Sequence, residues 1–123
     1  TGSLEVVAWG TGDAVREFLY VEDAARAIVE IGLNRDCEYP INIGSGHVVT
    51  IREIVAKLAE LTGFKGLIRW DESKPDSKTV RRLDTSEATE IGFKASTSLD
   101  DGLRKTVEWA INERRNSRTT AKV

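Results

Sequence analysis

A tryptophan, a glycine-broken turn and an arginine stand within eight residues of one another near the start of the sequence. Trp9 gives a large flat face, Gly10 and Gly12 let the backbone turn without a Cβ penalty, and Arg16 carries a permanent planar cation. A guanidinium can hold two phosphate oxygens at once. This spacing favours a ligand that has both a ring and phosphates. The alternative is a strand, a loop and a strand with one core tryptophan and one solvated arginine.

A second group of charged side chains lies in a loop that contains Lys74, Pro75 and Asp76 and is followed by Arg81 and Arg82. An aspartate can accept hydrogen bonds from sugar hydroxyls or from the edge of a base. The two arginines can neutralise phosphate. Asp76 and Arg81 are therefore candidate binding residues, and the alternative is a solvated charged loop.

The remaining reactive side chains indicate no chemistry. Cys37 is the only cysteine, so no internal disulfide can form, which fits a reducing cytosol. His47 is the only histidine, and one histidine with one cysteine would have to recruit carboxylates to bind zinc, so we expect no metal. The glycine turn at residues 44–46 could cradle a phosphate, but it lacks the spacing of a dinucleotide or Walker motif, which favours a tight turn instead.

Local patterns predict alternating strands and helices in the first half of the chain. The apolar runs at residues 4–8, 18–21 and 39–43 are predicted as short strands. Between the last two, an amphipathic helix is predicted from Val21 to near Gly32. Its apolar face comprises Val21, Ala24, Ala25, Ile28 and Val29.

A capping box predicts the start of a second helix. Thr50 and Glu53 have the Thr-x-x-Glu spacing, in which each side chain binds the backbone N–H of the other residue. Apolar residues at helical spacing follow, and Gly63 supplies the stop. These signals predict a helix over Ile51–Thr62.

The second half of the chain is predicted to contain a strand, a polar loop, a short extended piece and two helices. In chain order these are residues 67–70, 71–78, 80–84, a short helix that ends at Gly92 and a last helix. Thr85 or Ser86 can cap the short helix, and Ser98 can cap the last one. Residues 113–123 are basic and lack an apolar period, so we expect a flexible, fraying tail after one domain at residues 1–112.

Composition bounds the class of protein. With 123 residues, of which 40% are hydrophobic and 31% charged, the chain suits one soluble globular domain. A net charge of −2 gives no support to nucleic-acid binding, and no apolar run approaches the roughly 20 residues of a membrane span. We expect a cytoplasmic protein. The sequence has no methionine, from which we expect an upstream part to be missing.

Several motifs resemble the substrate-binding lobe of extended short-chain dehydrogenase/reductases, the NAD-dependent epimerase/dehydratase family. Residues 9–18 have the Trp-Gly-x-Gly-x-x-x-Arg-Glu-Phe pattern, and residues 73–76 read Ser-Lys-Pro-Asp, both as in the GDP-L-fucose synthase family. Ser77 replaces that family's glycine, and Arg81 stands where it tends to have lysine. Further matches, which specify the lobe better than the sugar, lie at residues 42–46, 50–53, 83–86 and 98–103.

The resemblance implies a mixed α/β substrate-binding lobe without its Rossmann core. In it, Trp9 would pack beside a nucleotide sugar, Arg16 would hold the diphosphate, and Asp76 and Arg81 would close over the nucleotide. The parent protein would epimerise and reduce a GDP-4-keto-6-deoxyhexose with NADPH, or act with NAD, and could form a homodimer.

The catalytic half that the family has is missing from this sequence. Its Tyr-x-x-x-Lys pair does not occur, because Tyr20 is followed four residues later by Ala24 and Tyr39 by Ile43. A dinucleotide fingerprint is also absent. The chain alone is therefore expected to hold no catalytic residue, to bind no cofactor and to have no turnover.

Two other interpretations stay open. The chain could be a stand-alone binding or assembly module derived from such a lobe, without catalysis. It could also be the same lobe of another nucleotide-sugar epimerase or dehydratase, with a different base and sugar.

Overall fold

The computed structural model describes residues 4–34, 38–75 and 80–120. Along these residues, strands and helices alternate in a mixed α/β arrangement, as the sequence predicts. In chain order the elements are β1 (Glu5–Trp9), β2 (Val15–Glu17), α1 (Val21–Asn34), β3 (Val48–Thr50), α2 (Ile51–Thr62), β4 (Leu67–Asp71), α3 (Ser86–Glu90) and α4 (Leu99–Thr120).

The strands of the described ranges form two pairs. β1 and β4 run parallel, with Trp9 opposite Asp71. β2 and β3 run antiparallel, with Val15 opposite Thr50. The first pairing brings the end of β1 next to the start of the loop that contains Lys74. The strands predicted at residues 4–8 and 67–70 are confirmed as β1 and β4.

The strand predicted at residues 18–21 is wrong. The extended residues are Val15–Glu17, three positions earlier, because their backbone pairs with β3. Val21 is already the first residue of α1. An apolar run alone does not define a strand when the pairing partner lies more than thirty residues away in sequence.

The strand predicted at residues 39–43 is also wrong, since this stretch forms no strand. Ile41 and Ile43 instead place their side chains against a small buried cluster. The cluster consists of Ala27, Ala88 and Phe93. The alternation of apolar residues in this stretch therefore reflects the burial of their side chains, and the backbone does not pair as a strand. Residues 80–84 likewise form no strand.

The first helix buries a different face from the apolar face read in the sequence. Ala27 is fully buried and Asp23 is 3% exposed, whereas Ile28 is 65% and Val29 is 57% exposed. Ala27 belongs to the buried cluster, and the Asp23 carboxylate is satisfied by hydrogen bonds, so this side of the helix can face inward. The helix also continues past Gly32 to Asn34.

The second helix agrees with its prediction at both ends. The Thr50 hydroxyl accepts a hydrogen bond from the Glu53 N–H at 3.1 Å, and the Thr50 N–H donates to the Glu53 carboxylate at 2.8 Å. Gly63 ends the helix in the left-handed conformation, with φ of 66°. The capping box is confirmed.

The last two helices lie where the sequence predicts them, but the cap of α3 and the end of α4 differ from the prediction. α3 lacks a side-chain cap from Thr85, and the Asp84 carboxylate instead accepts a hydrogen bond from the Ser86 N–H at 3.0 Å. The Ser98 cap of α4 is confirmed, since its hydroxyl accepts from the Asp101 N–H at 3.2 Å. α4 continues to Thr120, beyond the point at which a fraying tail was expected.

Candidate functional site

The glycine turn at residues 10–13 is held by the end of β4. The Gly10 N–H donates to the Asp71 carbonyl at 2.9 Å. Gly12 has a φ of 80°, in the left-handed region, and it lies against the ring of Trp70. A Cβ at Gly12 would come within 2.6 Å of the Trp70 Cη2 atom. The turn therefore needs glycine here for its conformation and for space.

Arg52 anchors the same turn from α2. Its N–H donates to the Gly12 carbonyl at 2.9 Å, and its guanidinium donates to the Thr11 carbonyl. The guanidinium also lies 4.6 Å from the centroid of the Trp70 ring, in a cation–π contact, and 4.0 Å from Asp13. Sequence reasoning missed this role. The only signal was the position of Arg52 in the matched stretch at residues 50–53.

Trp9 stands at the end of β1 and is 68% exposed, so it is not a core tryptophan. The Lys74 ammonium lies 5.8 Å from the centroid of the Trp9 ring. The structure thus brings the aromatic residue of the first candidate segment next to the loop of the second. Their contact leaves a flat ring face and a cation at one edge of the β1–β4 pair.

Arg16 is the middle residue of β2 and is half-buried. Its Nη1 donates to the Val15 carbonyl at 2.7 Å, and the backbone N–H of Arg81 donates to the same carbonyl at 3.1 Å. The exposed Arg81 is therefore adjacent to the residue that precedes Arg16. Asp76, the fourth candidate, lies outside the described residues.

The Glu17 carboxylate, for which no role is predicted from the sequence, joins three segments. It accepts hydrogen bonds from the Gly46 N–H at 2.8 Å and from the Leu83 N–H at 3.2 Å. The glycine turn at residues 44–46 thus directs an N–H at an internal carboxylate, which agrees with a tight turn. These partners lie 29 and 66 residues away in sequence, so no local pattern could identify them.

The surroundings of Tyr20 affect the acidity of its hydroxyl group. Burial, followed by the Glu22 carboxylate, raises the pKa of Tyr20 above its usual value. Proton transfer near neutral pH would need that pKa to be lowered. The Lys105 ammonium lies 5.2 Å from the centroid of the Tyr20 ring, over its face.

The described residues do not fit a dinucleotide cofactor. Such a site needs a glycine-rich turn between a parallel strand and the N-terminus of a helix. The described parallel strands are β1, which leads through the glycine turn into β2, and β4, which leads into the turn after Asp71. Because neither strand opens into a helix, these residues do not form the phosphate-binding turn of such a site.

The described residues contain neither a cluster of metal-binding side chains nor a helix that could span a membrane. Within residues 4–34, 38–75 and 80–120, no three or more His, Cys, Asp or Glu side chains group together so as to hold a metal ion. Among the same residues, none of the helices combines the length and the apolar character needed to cross a membrane.

The sequence is similar to known nucleotide-sugar enzymes. Residues 1–44 match the NAD dependent epimerase/dehydratase family. Over 110 residues the chain is 43% identical to GDP-L-fucose synthase 1 of Arabidopsis thaliana, a match that covers 89% of this chain and 34% of that protein. The chain thus spans about a third of the length of the curated relatives it matches.

Solved structures agree with this similarity. A GDP-L-fucose synthetase from Naegleria fowleri bound to NADP superposes with a TM-score of 0.84 at 23% identity, over 90% of this chain and 36% of that one. A UDP-glucose 4-epimerase from Thermotoga maritima, with UDP-glucose, gives 0.77 at 31% identity, over 89% and 35%. The mixed α/β fold of the C-terminal part of extended short-chain dehydrogenase/reductases is confirmed, as is the resemblance to GDP-L-fucose synthases.

Proposed function

We propose, from its similarity to the NAD dependent epimerase/dehydratase family and to GDP-L-fucose synthases, that this chain is the nucleotide-sugar-binding part of an epimerase/reductase. The parent protein would convert GDP-4-keto-6-deoxy-mannose to GDP-L-fucose with NADPH. It would act in the cytoplasm, and two copies could form a homodimer. This chain would supply residues that bind and orient the nucleotide sugar.

The observation that carries the proposal is the position of Arg81 beside β2. Its N–H and the Arg16 side chain both donate to the Val15 carbonyl, so the two residues lie close to one carbonyl oxygen. Two arginines at such a place can share the charge of a diphosphate. Trp9, with its exposed ring, would pack beside the nucleotide sugar, and Asp76 would close over the nucleotide from its loop.

The redox step would belong to another part of the parent protein. NADPH supplies a hydride when it is bound, and the family pairs it with a tyrosine and a lysine. Tyr20 lacks that lysine, and the described residues do not fit the cofactor. We therefore expect that the chain alone neither binds NADPH nor oxidises it.

Calorimetric titration of the 123-residue chain with GDP, UDP and NADPH tests the proposal. We expect saturable binding of GDP with a Kd of about 1 mM or lower, weaker binding of UDP, and no heat from NADPH. Preference for UDP would support the lobe of a UDP-sugar epimerase, which the similarity to the Thermotoga maritima enzyme also accommodates. Absence of binding by both nucleotides would reject the proposal and favour an assembly module.

A further inference from the structure

The Glu17 carboxylate binds two backbone N–H groups that come from distant segments. One oxygen accepts from Gly46, in the glycine turn, and the other accepts from Leu83. The Ser45 hydroxyl also lies 3.5 Å from the first oxygen. A carboxylate can serve both groups at once because each of its oxygens carries two lone pairs.

The segment at residues 81–83 runs beside β2 through two hydrogen bonds. The Arg81 N–H donates to the Val15 carbonyl, and the Leu83 N–H donates to the Glu17 side chain. The spacing is two residues on each side, so these bonds align the segment along the strand. Only the second bond depends on a side chain, so a substitution of Glu17 removes one of these two bonds and leaves the other in place.

The space around this carboxylate is also filled. Gly44 faces it so closely that a Cβ at this position would overlap the Glu17 Oε1 atom and lie 3.0 Å from the Thr85 side chain. The φ of Gly44 is not in the left-handed region, so alanine would be compatible with the backbone. The glycine thus makes room for the carboxylate and not for a strained turn.

We propose that Glu17 is a positioning residue that sets the spacing between Arg16 and Arg81. This inference rests on the proposed function, because it assigns the two arginines to one diphosphate. Glu17 itself does not touch the ligand. It holds the segment that contains Arg81 against the strand that contains Arg16, so that both cations face the same phosphates.

Nuclear magnetic resonance tests the bridge without any ligand. The amide protons of Gly46 and Leu83 should exchange slowly with solvent deuterium in the wild-type chain, because both bind the Glu17 carboxylate. Glu17→Ala removes both acceptor oxygens and should speed the exchange of both amides. Exchange that stays slow in the variant would overturn the proposed bridge.

Calorimetry with GDP and guanosine tests the consequence for binding. Glu17→Gln should weaken GDP about tenfold, because the neutral amide offers one acceptor oxygen to two N–H groups and the segment that contains Arg81 loosens. The affinity for guanosine should change by less than about twofold. Glu17→Asp, with the same charge on a shorter side chain, should recover part of the loss. The matched control is Glu113→Gln, the same change at an exposed position of α4, which should leave GDP binding unchanged.

Gly44→Ala provides a second variant that leaves Glu17 in place. The added methyl group should displace the carboxylate and reproduce the loss of GDP affinity, and the double variant should lose no more than either single one. Additive losses, or GDP binding unchanged in both single variants although melting temperatures fall, would reduce Glu17 to a structural role. If wild type fails to bind GDP, the proposed function fails, whereas the amide-exchange measurement still decides whether the bridge exists.

Discussion

The Asp23 carboxylate in the first turn of α1 accepts a hydrogen bond from the backbone N–H of Thr97 at 2.8 Å. It also accepts from the Ser96 N–H and hydroxyl and from the Arg26 guanidinium, at 2.9 to 3.2 Å. This one side chain ties α1 to the segment that precedes α4. Burial acts to raise the pKa of Asp23, but these hydrogen bonds outweigh it and hold that pKa well below its usual range.

Asp23→Asn should lower the free energy of unfolding at pH 7 by about 1.5–3 kcal/mol, because charged hydrogen bonds to a buried group are lost. The folded-state pKa is depressed, so the stabilisation is complete above the unfolded-state pKa, near 4. It is lost progressively as the pH falls from the unfolded-state pKa through the folded-state pKa. Urea denaturation at pH 7 and pH 3 should therefore show a smaller difference between wild type and variant at pH 3.

Asp100→Asn is the matched control for that experiment. Asp100 pairs with Lys57 at 2.5 Å, but its side chain is 75% exposed. Exposed ion pairs contribute about 0–1 kcal/mol. An equal loss of unfolding free energy in both variants would show that the buried hydrogen bonds of Asp23 contribute no more than an exposed ion pair.

Gly12→Ala should destabilise the chain by more than about 1 kcal/mol, because the left-handed φ and the Trp70 ring both oppose a Cβ. Gly92→Ala separates the two causes, since Gly92 has a φ of 93° but no atom within 4 Å of an added Cβ. We expect the midpoint of thermal unfolding to fall further for Gly12→Ala. Equal midpoints would mean that the ring moves aside freely.

Thr50→Ala should cost about 1 kcal/mol of unfolding free energy, the usual effect of losing an N-cap. Thr50→Ser keeps the hydroxyl that accepts from the Glu53 N–H and should restore most of the loss. Chemical denaturation monitored by circular dichroism measures both variants. If serine proves as damaging as alanine, the methyl group of Thr50 matters and the cap does not.

Sequence reasoning succeeded where a structure depends on neighbours along the chain. The helix at Ile51–Thr62 was predicted at both ends because the capping box and Gly63 act within one turn. The Ser98 cap succeeded for the same reason. Strands β1 and β4 were also predicted, since their apolar runs are bounded by glycine and polar residues.

Sequence reasoning failed where the structure of a segment depends on contacts with residues far away in sequence. Residues 18–21 and 39–43 are apolar enough for strands, but pairing with β3 selects Val15–Glu17, and the side chains of Ile41 and Ile43 are drawn to the Phe93 cluster. Glu17 could not be identified because its two N–H partners come from separate distant segments. Residue types and the family resemblance identified Trp9, Arg16 and Arg81 as candidate binding residues. Their roles are proposals.

The role of Arg16 gives the sharpest test of the binding site. A guanidinium paired with two phosphate oxygens forms charge-assisted bonds worth roughly 1.5–3 kcal/mol, or about tenfold to a hundredfold in affinity. Arg16→Ala should therefore weaken GDP by that factor and guanosine far less. Arg16→Lys keeps the charge but loses the fork, so it should recover only part of the affinity.

Calorimetry with GDP, GMP and guanosine measures these effects, with the melting temperature as a control for folding. Arg104→Ala is the matched variant, because Arg104 is a half-exposed arginine on α4 that forms ion pairs with Asp101 and Glu108. It should leave all three affinities unchanged. If Arg16 is only solvated, Arg16→Ala will also leave the three affinities unchanged. Equal losses of affinity for the three ligands would mean that the substitution disturbs the fold and not a phosphate contact. Only a loss that grows with the number of phosphates assigns Arg16 to the diphosphate.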